Sequence, residues 1–144
     1  MKKILLILFT FSSFSYGHSA IKGDFLGTWR LVEYAVDGIY QDVPNPTPIK
    51  MYMNGEFIII FYLENKMHFN KGKYTLDAGK ATETILVSST KTLIGEDISF
   101  KPNFMGDKNS FYINLDFGDY KTFERWEKTH CDVVKCSKIR TRKD

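Results

Sequence analysis

The chain has 144 residues, a formal net charge of +3 and 15% aromatic residues. Lys2 and Lys3 precede the predicted mature chain, whose charge is then about +1, so composition gives no indication of a nucleic-acid-binding surface. The basic excess lies near the end, because residues 128–144 hold six basic and two acidic side chains. We expect residues 129–144 to form a solvated basic tail.

The first twenty residues have the pattern of a secretory signal peptide. Lys2 and Lys3 precede an apolar stretch over residues 4–14, which is too short for a stable membrane anchor. Small residues favour cleavage after Gly17 or Ala20. We therefore expect a periplasmic or secreted protein with no integral membrane segment after cleavage. One domain of suitable size remains over residues 21–128.

Two cysteines, Cys131 and Cys136, lie in the predicted tail. A disulfide between them is the preferred interpretation, because an exported chain meets an oxidising compartment. A metal site with His130 is the alternative, but a fourth ligand and the usual paired-cysteine spacing are missing. Two free thiols rank between these interpretations.

Turn signals recur at short intervals along the mature chain, which is typical of an all-β barrel or sandwich. Asn54-Gly55 predicts a type I′ hairpin turn, and the three prolines of residues 43–48 predict a stiff loop without strand pairing. Eight antiparallel strands can close an up-and-down barrel around packed side chains or one small ligand. The predicted strands cover residues 28–36, 49–53, 56–62, 67–76, 81–90, 96–101, 110–117 and 120–128.

Alternation of apolar and polar residues predicts which side chains face the barrel interior. The strand over residues 110–117 alternates most clearly. The predicted apolar lining is Trp29, Leu31, Phe57, Ile59, Tyr74, Ile85, Ile98, Phe100, Ile113, Leu115 and Trp126.

The strand over residues 56–62 is apolar on both faces, so Ile58 and Ile60 on its outer face require a cover. The proline-rich loop or the tail could supply it. A homodimer partner is the alternative.

Three carboxylates share faces with the predicted lining: Glu33, Glu83 and Glu124. Burial of an unpartnered carboxylate is expensive, so each should be hydrogen-bonded, protonated or near the barrel opening. We expect Glu83 and Glu124 to orient a ligand that carries hydrogen-bond donors. The equally weighted alternative is a bulge that returns these carboxylates to solvent, or an internal network with Tyr74 or Tyr120.

Catalytic and cofactor motifs are not recognisable in this sequence. His68 lies on the polar side of a predicted strand and His130 lies in the tail, and neither has an identifiable nucleophile partner. A haem ligand role for His68 is conceivable, but a surface histidine is preferred. We expect a protein without enzymatic activity and without a cofactor.

The segment from Asp24 to Val32, which contains Gly27-Thr28-Trp29, resembles the opening of calycin-superfamily proteins. Together with residues 72–76, 82–85 and 124–128 it is similar to exported bacterial lipocalin-like families of unassigned function. The resemblance implies a barrel in which Trp29 plugs one end and Arg125 or Lys128 lies against its ring. Such a contact contributes roughly 0.5–2 kcal/mol.

The resemblance to the fatty-acid-binding branch is incomplete. Residues 37–48 are too short and proline-rich for the two helices of that branch, and Glu124 takes the place of a clamp arginine. A carboxylate there would repel a fatty-acid head group.

Together these observations predict an exported, non-catalytic, lipocalin-like barrel that binds a small hydrophobic or amphipathic molecule. The alternative is an interaction module with a packed barrel, which docks or dimerises through the outer face of residues 56–62. An enzyme that uses the interior carboxylates ranks third.

Overall fold

The computed structural model describes residues 22–129. The predicted signal peptide, the predicted tail after Thr129, the Cys131–Cys136 disulfide and the alternative site at His130 lie outside these residues. A four-residue helix, α1 (Lys22–Phe25), precedes ten strands. They are β1 (Gly27–Val36), β2 (Ile39–Gln41), β3 (Ile49–Met53), β4 (Glu56–Leu63), β5 (Lys66–Asp77), β6 (Lys80–Ser88), β7 (Asp97–Phe100), β8 (Asn103–Phe104), β9 (Ser110–Asp116) and β10 (Lys121–Lys128).

The predicted all-β antiparallel barrel is confirmed. All eight predicted strands form, as β1, β3 to β7, β9 and β10, while the short strands β2 and β8 were not predicted. The β3–β4 hairpin turns at Asn54 and Gly55, whose φ angles of 42° and 90° are the two positive values that a type I′ turn requires.

Consecutive strands are hydrogen-bonded neighbours through most of the sheet, in the order β7-β6-β5-β4-β3-β1-β10-β9-β8. The first long strand, β1, pairs with both β3 and the last strand β10. The ladder therefore joins the two ends of the described chain. The sheet curls until β7 lies beside β9, but no strand ladder is formed between them in residues 22–129.

Two irregularities in the ladders change which residues face inward. In β1 the register with β10 shifts between Leu31 and Glu33. In β5 the register with β6 shifts at Lys71 and Gly72, where a Cβ on Gly72 would lie 1.8 Å from the backbone oxygen of Thr84. Only glycine permits this close approach of two strands.

One half of the barrel is packed solid with aromatic side chains. Phe25, at the end of α1, is fully buried and lies 4.9 Å from Tyr52 and 5.5 Å from Phe111, measured between ring centroids. Trp29 lies 4.8 Å from Phe111, and its Nε1 donates a hydrogen bond of 2.8 Å to the backbone oxygen of Phe25. Helix α1 and these rings close this end, which we call the closed end.

The outer face of β4 remains partly exposed. Ile58 lies opposite Met51 on β3, and Ile60 lies opposite Ile49 on β3 and Phe69 on β5. Homodimer formation through this face stays a prediction. Within residues 22–129, no helix has the length and apolar character needed to cross a bilayer.

Candidate functional site

A cavity of about 480 Å³ occupies the other half of the barrel and opens between the proline-rich loop and the ends of β4 and β9. This volume lies within the roughly 300–1,000 Å³ of small-molecule sites. Ten of the thirteen predicted lining residues lie on its wall: Leu31, Phe57, Ile59, Glu83, Ile85, Ile98, Phe100, Leu115, Glu124 and Trp126.

The remaining three predicted lining residues belong to the packed closed end. Trp29, Tyr74 and Ile113 are buried in the aromatic core and do not reach the cavity. Their inward orientation follows the alternation, but alternation carries no information on height along the barrel axis. These three side chains therefore do not line this cavity, and their contact with a ligand stays a prediction.

Five residues at the opening of the cavity are absent from the predicted lining. Pro44 and Pro48 come from the loop before β3, while Phe61, Phe117 and Tyr120 come from strand ends and the β9–β10 turn. Pro44 and Pro48 are loop residues without strand parity, so only the folded chain reveals them. Phe61, Phe117 and Tyr120 share the parity of predicted lining residues on their strands.

A buried ion pair lies on the cavity wall. Lys50 is 5% exposed and Glu83 is 3% exposed, and Lys50 Nζ lies 3.2 Å from Glu83 Oε1 and 3.5 Å from Oε2. The Tyr52 hydroxyl donates a further hydrogen bond to Oε1. Burial, with the adjacent Glu83 carboxylate, raises the pKa of Tyr52 well above its usual value, so this hydroxyl stays protonated at neutral pH.

Aromatic rings surround the Lys50 ammonium on its other sides. Nζ lies 5.1 Å from the ring centroid of Trp126, 5.5 Å from that of Phe100 and 5.9 Å from that of Tyr52. These contacts and Glu83 together compensate the buried charge. Glu83 is thus held by an internal network, and its partners are Lys50 and Tyr52 rather than the predicted Tyr74 or Tyr120.

Lys50 was missed because β3 reads as an apolar strand with Ile49, Met51 and Met53 on one face. The structure places that face outside and Lys50 and Tyr52 inside. The register of the β3–β4 hairpin could have revealed the orientation of Lys50. The two-residue turn puts Tyr52 opposite Phe57 and Lys50 opposite Ile59. Directly opposed residues share a face, so the inward prediction for β4 implies an inward Lys50.

Glu124 is the second acid on the cavity wall. Its Oε2 accepts a hydrogen bond of 2.9 Å from Trp126 Nε1. No ion pair involves Glu124 within residues 22–129, in contrast to Glu83. Burial raises the pKa of Glu124, with Glu83 acting in the same direction and Lys50 and the Trp126 hydrogen bond opposing it.

Glu33 does not face the cavity, so its predicted inward orientation is wrong. The register shift after Leu31 turns Glu33 outward, where its Oε1 lies 3.0 Å from Arg125 Nη2. The same shift brings Tyr34 onto the cavity wall, opposite Glu124 in the ladder. This is the bulge that the sequence left open as an alternative.

Lys128, and not Arg125, lies against the ring of Trp29. Lys128 Nζ is 5.2 Å from the ring centroid, whereas Arg125 pairs with Glu33 and Glu127 on the outer surface. The Lys128 side chain also explains Gly27, because a Cβ there would lie 2.8 Å from Lys128 Cε. The two residues together close the barrel over the indole.

His68 lies on the same strand face as the lining, and not on the polar side as predicted. It is opposite Phe61 in the β4–β5 ladder, and the two rings stack at 5.6 Å between centroids. Its Nδ1 lies 3.3 Å from Ser89 Oγ. Residues 22–129 contain no cluster of three or more His, Cys, Asp or Glu side chains that could hold a metal.

Comparison with known proteins agrees with this architecture. No protein-family model and no curated protein sequence matches the chain. Among solved structures, a lipocalin-like protein from Bacteroides uniformis is 20% identical with a TM-score of 0.53, and the match covers 74% of this chain and all of that one. A redesigned β-barrel is 11% identical with a TM-score of 0.53 over 76% of this chain and 95% of that one.

These likenesses concern the fold, since the identities are low. In this chain the Gly-x-Trp segment lies on β1 and Trp126 lies on β10, and these two strands are joined by a ladder. The resemblance indicated by the sequence motifs is confirmed at this level: the chain folds as a lipocalin-like β-barrel.

Proposed function

We propose that this protein is a non-catalytic binding protein that holds a small hydrophobic or amphipathic molecule in the barrel. The observation that carries the proposal is the cavity of about 480 Å³, which is walled mainly by apolar side chains and has only a few charged groups. Fold likeness to a lipocalin-like protein supports a binding role without indicating the ligand.

The alternative interaction module requires a barrel without internal space. The closed end meets this description, but the half that contains Ile59 and Leu115 is hollow. A partner at the outer face of β4 would be compatible with a ligand inside, so the two functions do not exclude each other. The cavity makes ligand binding the better supported of the two.

We further propose that the protein is exported, with cleavage after Gly17 or Ala20. The support is the sequence itself: two lysines, an apolar stretch and small residues in the order of a signal peptide. We expect the intact mass of the protein isolated from its own host to correspond to a chain that begins at His18 or Ile21. The mass of the full-length chain would contradict export by this route.

Filling the cavity should abolish binding of an apolar probe. Leu115→Trp places an indole into the cavity from β9, whereas Asn114→Trp adds the same group on the exposed outer face of that strand. We expect the affinity for a neutral fluorescent naphthylamine to fall more than about tenfold in the first variant, because the cavity volume is lost. Fluorescence titration measures this.

Asn114→Trp is the control and should bind the probe as the unchanged protein does. Equal probe affinity in both tryptophan variants would place the probe elsewhere and contradict the proposal. Circular dichroism of each variant verifies that the sheet is intact.

A further inference from the structure

The charges inside the cavity do not balance. Its wall carries one cation, Lys50, and two acids, Glu83 and Glu124. Lys50 and Glu83 form an ion pair at 3.2 Å, and the ammonium is enclosed by the rings of Trp126, Phe100 and Tyr52. Neither charge of this pair is available for a ligand without breaking the pair, which leaves Glu124.

Glu124 has capacity for another hydrogen-bond donor. A carboxylate accepts about four hydrogen bonds, and within the described residues Glu124 receives one, from Trp126 Nε1. Lys50 forms its ion pair with Glu83 and none with Glu124. The second carboxylate oxygen of Glu124 is therefore without a partner in residues 22–129, on the wall of a cavity that is otherwise mainly apolar.

The surroundings of Glu124 suit a cation better than an anion. Tyr34 lies opposite Glu124 in the β1–β10 ladder and on the same cavity wall, and the face of a tyrosine ring attracts positive charge. A ligand with a carboxylate head group would be repelled by Glu124, because the two like charges would meet in a desolvated site. Lys50, the cation on this wall that could bind such a head group, is already paired with Glu83. The remaining wall, towards Phe117 and Tyr120, offers apolar surface for the body of a ligand.

We infer that the ligand is an amphipathic amine: its protonated amino group binds Glu124, and its apolar body extends towards the opening between Phe61 and Phe117. This inference rests on the proposed function, because it names the ligand class for the same cavity. The ammonium supplies a positive charge and hydrogen-bond donors to the second carboxylate oxygen of Glu124. The bond between them is a charge-assisted hydrogen bond.

Three compounds with one apolar body and different head groups test the inference. In a displacement assay at pH 7.5, the full chain is incubated with the neutral naphthylamine probe. The competitors for the cavity are octylamine, 1-octanol and octanoate. We expect the affinity for octylamine to be at least about tenfold higher than that for octanol, because octylamine can form a charge-assisted hydrogen bond. Octanoate should bind most weakly of the three. Glu124→Gln should reduce the octylamine affinity to within about twofold of octanol and leave octanol unchanged.

The matched control is Glu56→Gln. It removes the same charge from an exposed position on β4 at the closed end, so it reports any long-range effect of net charge. We expect the octylamine preference to be retained. If octylamine and octanol bind equally, if octanoate binds most tightly, or if Glu124→Gln keeps the preference, the amine inference is wrong while ligand binding stands. If the probe binds but none of the three compounds displaces it, the amine inference is also wrong. If the naphthylamine probe itself does not bind, the failure concerns the proposed function.

Urea denaturation of the wild type and Glu124→Gln verifies both folding and the state of Glu124. Because the pKa of Glu124 is raised in the folded protein, the folded state holds this proton to higher pH than the unfolded state does. The stabilisation from this proton is complete below the unfolded pKa and is lost as pH rises through the folded pKa. We expect the wild type to lose stability relative to Glu124→Gln as pH rises from about 4. Lys50, Glu83 and Tyr34, which face Glu124, are present in both proteins, so the difference between the two curves reports Glu124.

Discussion

Replacing Lys50 with methionine should lower the free energy of unfolding by about 3–5 kcal/mol, because Glu83 would remain charged and buried without its cation. Glu83 is 3% exposed, and its other partner is the Tyr52 hydroxyl, which supplies a hydrogen bond but no charge. Methionine keeps the length and apolar character of the lysine side chain, so the loss would report the charge rather than a cavity. Urea denaturation at pH 7.5 measures it.

Removing both charges should restore most of this stability. In the double variant Lys50→Met with Glu83→Gln, neither charge of this pair remains, and the Gln oxygen still accepts the hydrogen bond from Tyr52. The comparison pair is Arg30 and Glu127, whose side chains are 56% and 35% exposed. Arg30→Met should change stability by less than about 1 kcal/mol, as is usual for surface pairs. A loss of this small size for Lys50→Met would contradict the buried ion pair.

Replacing Trp29 with alanine should lower the free energy of unfolding by about 3–5 kcal/mol, the range for truncation of a large buried aromatic side chain. Trp29 has no exposed surface, contacts Phe104 and Phe111, and donates its indole hydrogen bond to Phe25 at the end of α1. Its loss would remove the contacts that hold α1 across the closed end. Thermal and urea denaturation measure the change.

Two single variants separate the indole from its cation. Lys128→Met removes the ammonium over the ring and should lower the free energy of unfolding by about 0.5–2 kcal/mol. Arg125→Met breaks only partly exposed ion pairs, so it should lower the free energy of unfolding by less. If Arg125→Met is the more damaging of the two, the assignment of Lys128 as the partner is wrong. Because Trp29 lies in the packed half, folded Trp29→Phe should retain the probe affinity.

Most of the strand pattern was predictable because strand signals are local. Asn54 and Gly55 readily adopt the positive φ angles of a tight hairpin turn, so this dipeptide indicates the turn without reference to the rest of the chain. The alternation in β9 places Phe111, Ile113 and Leu115 on one face whatever surrounds them. The short strands β2 and β8 were missed, since two or three residues contain too little alternation to detect.

The sequence by itself determined the fold class, the pairing of the Trp-bearing first and last strands, and most of the inward-facing side chains, because these follow from local turn chemistry and a two-residue period. Only the tertiary structure decided how far each inward side chain lies from the closed end. It alone turned Glu33 outward through a bulge and brought Lys50 on β3 to Glu83 on β6, past the two intervening strands. It also left Glu124 outside every ion pair that residues 22–129 form. Charge pairing and cavity shape depend on contacts between distant strands, and these form when the sheet curls upon itself.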